Sequence, residues 1–281
     1  MEQIRKEGFF TAHRGNELFY QSWRVKKSDA DKIVVVTHGI SEHSEAYSHF
    51  AKGMLSKNLD IYAWDLRGHG RSEGKRGVVA SFDDYVEDLE IFVKYLKATY
   101  PNKKIFLLGH SMGGLVVTKA VLLRPNLPVD GLVLSSPLMG IKMDVSPVKD
   151  FAARALVRFL PSMTLFNEIK FEDLSHDSEI VSTYSKDPLR HDQICPRLYL
   201  DFLSSFEYIF EQNVNWKFPV LMQLAGNDKV VSTDASIKFF EELDHFEDRQ
   251  KIVYDGLYHE IYNEVDREKV FGDLTKWLSS R

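Results

Sequence analysis

The stretch that decides the fold reads Lys104-Ile-Phe-Leu-Leu-Gly-His-Ser-Met-Gly113 and continues into an apolar run, Gly114–Arg124. The first five residues predict a short buried strand, and the apolar run predicts a helix. A Gly-x-Ser-x-Gly pentapeptide between a strand and a helix is typical of a nucleophile elbow, a sharp turn that lifts the serine hydroxyl clear of the sheet edge. We therefore predict that Ser111 is a nucleophile, in preference to a serine that only caps a helix.

Composition places the chain among ordinary globular proteins. Its 281 residues suit one large domain with an insertion or two small domains, and 44% of them are hydrophobic. The formal net charge of −5 gives no electrostatic basis for binding nucleic acid. The single cysteine, Cys195, excludes an internal disulfide and a cysteine-based zinc site, and we expect a packed thiol there.

The sequence carries no targeting or membrane-spanning pattern. Residues 1–30 are charged throughout and lack the apolar core of a signal peptide. No apolar run approaches the roughly 20 residues that a membrane span needs. We therefore expect a cytoplasmic protein, attached at most to a membrane surface.

Strand and helix patterns alternate through the first half of the chain. Phe9–His13 and Leu18–Val25 flank a turn and predict a β-hairpin. Ile33–Thr37 is a continuous Val-rich run, which is typical of a strand buried on both faces. The patterns that follow are, in order, a helix near Tyr47–Ser56, a strand at Leu59–Trp64, a helix at Phe82–Tyr100, the strand and helix around Ser111, and a strand at Gly131–Ser135. This rhythm predicts an α/β protein with a mostly parallel central sheet and helices on both faces.

The rhythm stops between residues 137 and 216, where helical patches are separated by prolines. It resumes with strand Val220–Ala225, helix Asp234–Leu243, strand Lys251–Tyr254 and a final helix, Glu268–Leu278. A segment that leaves a sheet and then returns to it predicts an insertion. We expect a core built from residues 1–136 and 217–281, with an inserted helical cap at 137–216.

A serine hydroxyl needs an adjacent base and a group that orients this base. Asp228 follows strand Val220–Ala225, and His259 follows strand Lys251–Tyr254, so both belong to loops at carboxyl ends of strands. Either residue alone would suit a turn or a surface position. The chain order of Ser111, Asp228 and His259 is that of the α/β-hydrolases, and it favours a catalytic triad.

The oxyanion of an acyl-transfer reaction needs two preset backbone donors. We expect one to be the N–H of Met112, directly after the nucleophile. The other should come from the loop after strand Ile33–Thr37, and we assign it to the N–H of Ile40. We interpret His110, directly before Ser111, as a support of the turn rather than an acid or base.

Several segments extend the likeness beyond this site. They are His38-Gly39-Ile40-Ser41-Glu42-His43-Ser44 with Tyr47, Asp65-Leu66-Arg67-Gly68-His69-Gly70-Arg71-Ser72-Glu73-Gly74, and Tyr184 with Asp187-Pro188-Leu189. With them the chain resembles the monoacylglycerol lipase and lysophospholipase branch of the α/β-hydrolases, from about Phe9 to Leu278. The resemblance implies an α/β-hydrolase fold and a single-chain lipid ester as substrate, without metal or organic cofactor.

The same resemblance suggests residues for the polar end of the substrate. Glu42 and His43 either face that end or brace the loop, and Tyr184 is a further candidate. The branch usually carries an arginine directly before Tyr47, whereas this chain has Ala46. That departure keeps lysophospholipids open as substrates beside monoacylglycerols.

The predicted cap contains two apolar helical patterns. One face of 149–160 includes Leu156 and Phe159, and a later aromatic stripe includes Phe206. These side chains either pack in the protein core or line a tunnel for an acyl chain. In the second case, the basic edge of the first helix would touch anionic lipid, giving peripheral membrane contact through the cap.

The function expected from the sequence is hydrolysis of single-chain lipid esters through an acyl-enzyme on Ser111. One alternative is a general short-chain carboxylesterase or a related amide hydrolase, because the same triad serves all acyl transfers. A second alternative is a noncatalytic hydrolase-fold binding protein. Such proteins commonly lose a triad member, whereas all three are present here.

Overall fold

A central β-sheet organises the computed structural model, which describes residues 3–25, 30–142 and 146–281. Eight of its strands form one sheet in the order β1-β2-β4-β3-β5-β6-β9-β10, and two short strands pair separately. The strands are β1 (Gln3–Thr11), β2 (Glu17–Val25), β3 (Lys32–Thr37), β4 (Leu59–Trp64), β5 (Lys104–His110), β6 (Gly131–Ser135), β7 (Leu165–Phe166), β8 (Gln193–Ile194), β9 (Val220–Ala225) and β10 (Arg249–Tyr254).

The sheet is parallel from β4 to β10 and antiparallel at its other edge. β1 and β2 form the predicted hairpin, with Phe9 opposite Phe19, and β2 joins β4 in antiparallel register. β3 lies between β4 and β5 with parallel pairing on both sides. Its Val-rich sequence suits this central position, because both faces of the strand are covered and Val34 and Val35 are fully buried.

Helices cover both faces of the sheet. They are α1 (Ser48–Leu55), α2 (Asp83–Thr99), α3 (Met112–Leu123), α4 (Pro147–Phe159), α5 (Ser178–Tyr184), α6 (Pro196–Gln212), α7 (Thr233–Glu242) and α8 (Arg267–Ser279). Side chains of β3 divide alternately between two hydrophobic clusters. Ile33 and Val35 pack with α2, α3 and α7, whereas Val34 and Val36 pack with α1 and α8. None of the described helices is long and apolar enough to cross a membrane.

The chain between β6 and β9 holds α4, α5, α6 and the short β7–β8 pair, in which Leu165 lies opposite Ile194. α6 rests on the sheet domain, since Phe202 meets the ring of Phe82 edge-on and the Lys119 ammonium donates to the Ser205 hydroxyl at 3.1 Å. The boundaries 1–136, 137–216 and 217–281 stay a prediction. Within them, residues 1–2, 26–29 and 143–145 lie outside the described residues.

Candidate active site

The turn that carries Ser111 is one residue wide. β5 extends to His110 and α3 begins at Met112, so both elements run closer to the serine than the sequence pattern indicated. Ser111 adopts φ 52° and ψ −121°, a conformation that is rare for a residue with a side chain. A Cβ at Gly113 would lie 2.1 Å from the carbonyl oxygen of Thr37. Glycine is therefore required there, because α3 begins in direct contact with the end of β3.

Asp228 and His259 meet at the edge of the sheet where Ser111 lies. β5, β9 and β10 belong to the parallel part of the sheet, so the loops after them share one edge. The Nδ1 of His259 lies 2.7 Å from Oδ2 of Asp228. Oδ1 of Asp228 accepts from the backbone N–H groups of Val230 at 2.8 Å and Val231 at 2.9 Å. The carboxylate is thus fixed on both oxygens and holds the imidazole in one orientation.

The electrostatics of this pair suit a general base. Burial acts to lower the pKa of His259, but the nearby Asp228 carboxylate outweighs it and raises this pKa above the ordinary value of 6.5. Burial likewise acts to raise the pKa of Asp228, and the charge and hydrogen bond of His259 lower it. An ionised Asp228 beside His259 is therefore suited to stabilise an imidazolium at this position.

His110 packs against the base without sharing its role. Its ring centroid lies 4.7 Å from that of His259, and its Nδ1 lies 3.0 Å from the carbonyl oxygen of Ser135. Burial, together with the neighbouring His259, lowers the pKa of His110 to about 3. His110 is therefore a neutral packing residue near neutral pH, which agrees with a supporting role at the turn.

The two residues expected to supply the oxyanion donors, Ile40 and Met112, lie next to Ser111. Met112 is the first residue of α3, and the N–H groups of a first helical turn have no partner within the helix. Ile40 follows β3 and lies in the wall of the cavities that contain Ser111. A Cβ on its neighbour Gly39 would approach the Cβ of Ser111 to 3.0 Å, so this loop lies directly against the serine.

An apolar cavity of about 180 Å³ opens beside Ser111. Residues between β6 and β9 and residues of the sheet domain form most of its wall, and the buried Cys195 is among them. The residues that line it are Ile40, Ser111, Leu138, Ile141, Ala153, Leu165, Phe166, Asn167, Glu168, Ile169, Ile194, Cys195, Pro196, Tyr199, Phe202, Val230 and Val231. Sequence reasoning named few of these positions, because the wall is assembled from seven separate segments of the chain.

Leu156, Phe159 and Phe206, for which the sequence allowed either core packing or a tunnel wall, do not line this cavity as the structure describes it. α4 turns Ala153 inward, whereas Phe159 points outward with 76% of its surface exposed and Leu156 is only half-buried. Phe206 packs against the hydrophobic core instead. Helical periodicity identifies an apolar face, but it does not state which neighbour the face meets, and here most of that face meets solvent.

A second cavity of about 30 Å³ also reaches Ser111, and we call it the polar cavity because charged residues line it. Charged side chains from three parts of the chain reach it, and His259 belongs to its wall. The residues that line it are Gly39, Ile40, Ser41, Glu42, His110, Ser111, Asn167, Ile169, Phe171, Leu174, Arg190, His191, Asp192, His259 and Glu260. Ser111 thus lies where an apolar and a polar space meet, and His259 borders the polar one.

Glu42 both lines the polar cavity and braces the loop before it. Its Oε1 accepts from the N–H of Gly39 at 2.5 Å and from the hydroxyl of Tyr47 at 3.0 Å. Burial and the charge of Glu260 raise the pKa of Glu42 to about 7. The carboxyl group therefore helps to hold the oxyanion loop and presents a group that is only partly ionised near neutral pH.

His43 and Tyr184 lie outside both cavities, in the wall of a separate outer groove. The Nε2 of His43 lies 2.8 Å from Oδ2 of Asp187, which ties the oxyanion loop to the segment after α5. The hydroxyl of Tyr184 donates to Oε2 of Glu260. Both residues brace the site in this structure rather than face the nucleophile.

Three charged residues of the polar cavity were not predicted from the sequence: Arg190, Asp192 and Glu260. Glu260 directly follows His259, and Arg190 directly follows the Asp187-Pro188-Leu189 segment that carries the family likeness. Adjacency to these segments was the available signal. The contact between Arg190 and Glu260, at 3.5 Å from Nη2 to Oε1, exists only in the folded chain.

This geometry agrees with comparisons to known proteins. The family model Hydrolase_4, described as serine aminopeptidase, S33, matches residues 28–266. The chain belongs to this family. A monoacylglycerol lipase of Mycolicibacterium smegmatis is 31% identical, and the match covers 100% of this chain and 99% of the relative. Phospholipase YtpA of Bacillus subtilis is 30% identical over 89% of this chain and 95% of its own length.

Solved structures confirm the α/β-hydrolase fold. The crystal structure of Paleococcus ferrophilus monoacylglycerol lipase matches with a TM-score of 0.81 and 30% identity, covering 100% of this chain and 99% of that one. The predicted family branch and fold class are therefore confirmed.

Proposed function

We propose that this protein is a serine esterase that hydrolyses the carboxylic ester of single-chain lipids, of the monoacylglycerol lipase or lysophospholipase type. One observation carries the proposal: Ser111 lies where an apolar cavity of about 180 Å³ meets a polar one of about 30 Å³. An acyl chain suits the first space, since each buried CH₂ contributes about 0.8 kcal/mol. The alcohol of the ester suits the second. The relatives named monoacylglycerol lipase and phospholipase support the same substrate class.

In the first half of the proposed reaction, His259 takes the proton of the Ser111 hydroxyl as its oxygen attacks the ester carbonyl. The N–H groups of Ile40 and Met112 donate to the oxyanion of the tetrahedral intermediate. When the intermediate collapses, the ester C–O bond breaks and His259 gives its proton to the departing alcohol. Asp228 stabilises the imidazolium throughout.

In the second half, water replaces the alcohol. His259 removes a proton from the water, whose oxygen attacks the acyl-enzyme carbonyl, and the same two N–H groups donate to the new oxyanion. The bond to Ser111 then breaks, the serine oxygen recovers a proton from His259, and the fatty acid leaves. The water supplies the proton that returns to Ser111 through His259, so the proton balance closes.

The test is hydrolysis of a matched panel. One long acyl chain is offered on glycerol and on glycerophosphocholine, beside a short-chain aryl ester and an aminoacyl arylamide. We expect the long-chain lipid esters to be preferred, because the larger cavity is lined almost wholly by apolar side chains. Activity confined to the short ester would make this a general carboxylesterase, and activity confined to the arylamide would favour the peptidase chemistry in the family description.

A fluorophosphonate probe separates the enzyme from a noncatalytic binding protein. We expect covalent labelling at Ser111, because the fixed His259–Asp228 pair activates it. Ser111→Ala is the matched control. An unlabelled wild-type protein would contradict the enzymatic proposal.

The proposal includes a cap at 137–216 that touches a membrane surface. α4 and the segment after it expose large apolar side chains, with Phe151 exposed at 74%, Phe159 at 76% and Phe166 at 75%. Val148, Leu160 and Leu165 extend this exposed face. Leu165 and Phe166 also line the apolar cavity beside Ser111, which we call the acyl cavity. A membrane held against the exposed face would therefore lie at the mouth of this cavity.

Vesicle sedimentation tests this contact. The paired change Phe151→Ser and Phe159→Ser should release the protein from phosphatidylcholine vesicles containing phosphatidylserine, with unchanged hydrolysis of a water-soluble aryl ester. The control is Val265→Ser, at an apolar residue that is 64% exposed outside the cap. Equal binding by the double variant and wild type would contradict the contact. The cytoplasmic location that we also propose is tested by cell fractionation.

A further inference from the structure

The polar cavity contains a charged group that the proposed reaction does not use. Arg190 lines both this cavity and the outer groove, so it separates the nucleophile from the surface on that side. Its side chain is only 5% exposed. A buried guanidinium is costly unless its charge is balanced and its donors are used, so its presence beside the nucleophile calls for a physical reason.

The position of Arg190 is held from two sides. Its guanidinium carbon lies 3.7 Å from the ring centroid of Tyr184, over the face of the ring. Its Nη2 lies 3.5 Å from Oε1 of Glu260. Glu260 is in turn fixed by Tyr184 and by Asn263, whose Nδ2 donates to it at 2.5 Å. The arginine is therefore presented in one place before any ligand arrives.

One donor of this arginine is unused. Within the parts of the chain that the structure describes, the buried Nη2 has no hydrogen-bond partner, because the approach of Glu260 lacks hydrogen-bond geometry. Buried donors are normally satisfied, and an unsatisfied one in the wall of a ligand cavity indicates a partner that arrives with the ligand.

The surrounding charges indicate what kind of ligand fits. Burial acts to raise the pKa of Glu260, but Arg190 lowers it, so these two groups form a balanced pair. The Glu42 carboxyl, which lines the same cavity, adds a further acceptor that is partly ionised near neutral pH. Because Asp192 also lines this cavity, a phosphate would meet three carboxyl groups against one guanidinium. An uncharged hydroxyl can accept from the arginine and donate to a carboxyl group without this repulsion.

We propose that Arg190 determines selectivity for the leaving alcohol, by donating a hydrogen bond from Nη2 to a free hydroxyl of an uncharged polyol ester in the polar cavity. The inference rests on the proposed ester hydrolysis at Ser111. It adds that the cap residue Arg190 distinguishes an alcohol with further hydroxyls from one without them. Removing this contact leaves a buried donor unpaired, which is how sites reject analogues that lack a hydroxyl.

The experiment compares two esters of one acyl chain, a glyceryl ester and a propyl ester, with wild type and Arg190→Met. We expect wild type to prefer the glyceryl ester about tenfold in kcat/KM, as one satisfied buried donor implies. In Arg190→Met this preference should fall to about one, through a higher KM for the glyceryl ester with little change in kcat. Arg197→Met is the matched control, since this cap arginine is 42% exposed and pairs with Asp201 away from the cavity.

Each outcome separates the inference from the function beneath it. Equal losses on both esters in Arg190→Met would show a structural brace only and overturn the inference. A wild type that hydrolyses both esters equally would overturn it while the esterase stands. A wild type inactive on both esters would overturn the proposed function itself.

Two further measurements complete the test. One applies if Arg190→Met fails to fold, and the other asks whether Arg190 prefers an anionic ligand. Arg190→Lys keeps the charge opposite Glu260 but lacks the planar fork, so its preference for the glyceryl ester should fall while propyl ester hydrolysis persists. An unchanged preference contradicts the assignment. Wild type should also hydrolyse the matching 1-acylglycerol 3-phosphate more slowly than the glyceryl ester, and faster hydrolysis would assign Arg190 to phosphate instead.

Discussion

The sheet edge and the cap contribute to one site in different ways. At the sheet edge, Ser111 is placed by a strained turn, and Asp228 is fixed by two backbone N–H groups. In the cap, Ala153 and Arg190 reach the cavities as side chains from separate irregular segments and helices. Turns at the ends of the strands thus fix the groups that we propose for catalysis, whereas side chains between β6 and β9 shape the space around them. Substitutions at the sheet edge should therefore lower activity on every ester, and substitutions in the cap should change selectivity.

The largest expected effect is that of Ser111→Ala. It should lower kcat by about 10⁶-fold on long and short esters alike, because the nucleophile acts in every case. Kinetics on both ester classes and circular dichroism of the folded variant check this. Retained turnover on either ester class would contradict the assignment of Ser111 as the nucleophile.

Asp228→Asn should follow with a loss of about 10⁴-fold in kcat, because an amide favours the wrong tautomer of His259. The loss should be the same for long and short acyl chains. Steady-state kinetics on both substrates measure it, with the exposed Asp255→Asn as the matched control. A loss confined to long chains would place Asp228 in substrate binding.

The pH dependence of kcat/KM tests the electrostatic effect of Asp228 on His259. Because Asp228 raises the pKa of His259 above 6.5, kcat/KM should fall as pH falls through an apparent pKa above this value. In the residual activity of Asp228→Asn, this acid limb of the pH profile should move to lower pH. Glu42 has a pKa raised to about 7 and titrates nearby, so Glu42→Gln is the control that should keep the limb. A limb that disappears in this variant would reassign it to Glu42.

The smallest effect is expected from Ala153→Phe in the cap. Ala153 is buried and lines the acyl cavity, so a larger side chain should shorten the space available. We expect kcat/KM for the long acyl ester to fall about tenfold, roughly the effect of two CH₂ groups left unburied, with the short ester unchanged. Ala155→Phe, at an exposed position of the same helix, is the control. An equal fall of kcat/KM for the long and the short ester would contradict the expected contact of Ala153 with the acyl chain.

The positions of the sheet strands along the chain follow closely from local sequence patterns. Leu59–Trp64 and Val220–Ala225 have the predicted bounds, because a buried parallel strand is a short apolar run that needs no distant information. The same holds for the order of Ser111, Asp228 and His259, since each follows the end of a recognisable strand. The structure then adds the 2.7 Å contact between the last two.

The predictions for the cap were less accurate for a physical reason. Leu156 and Phe159 belong to an amphipathic helix, and amphipathicity does not distinguish a face that packs from one left exposed for another partner. Position 46 shows a related limit, because a local pattern does not reveal which distant residue reaches a site. The resemblance implies an arginine there, the chain has Ala46, and the cation that lines the polar cavity is Arg190 in the predicted cap.

Local sequence patterns are sufficient to predict the α/β sheet, the turn at Ser111 and the chain order of Ser111, Asp228 and His259, because these depend on hydrogen-bonding patterns and side-chain periods within short segments. Which side chains surround Ser111 depends on the fold of the whole chain. Glu42, Arg190 and Glu260 come from separate loops, and burial and mutual charge set their pKa values and contacts once the chain has folded. Selectivity therefore depends on distances that no local pattern of residues contains.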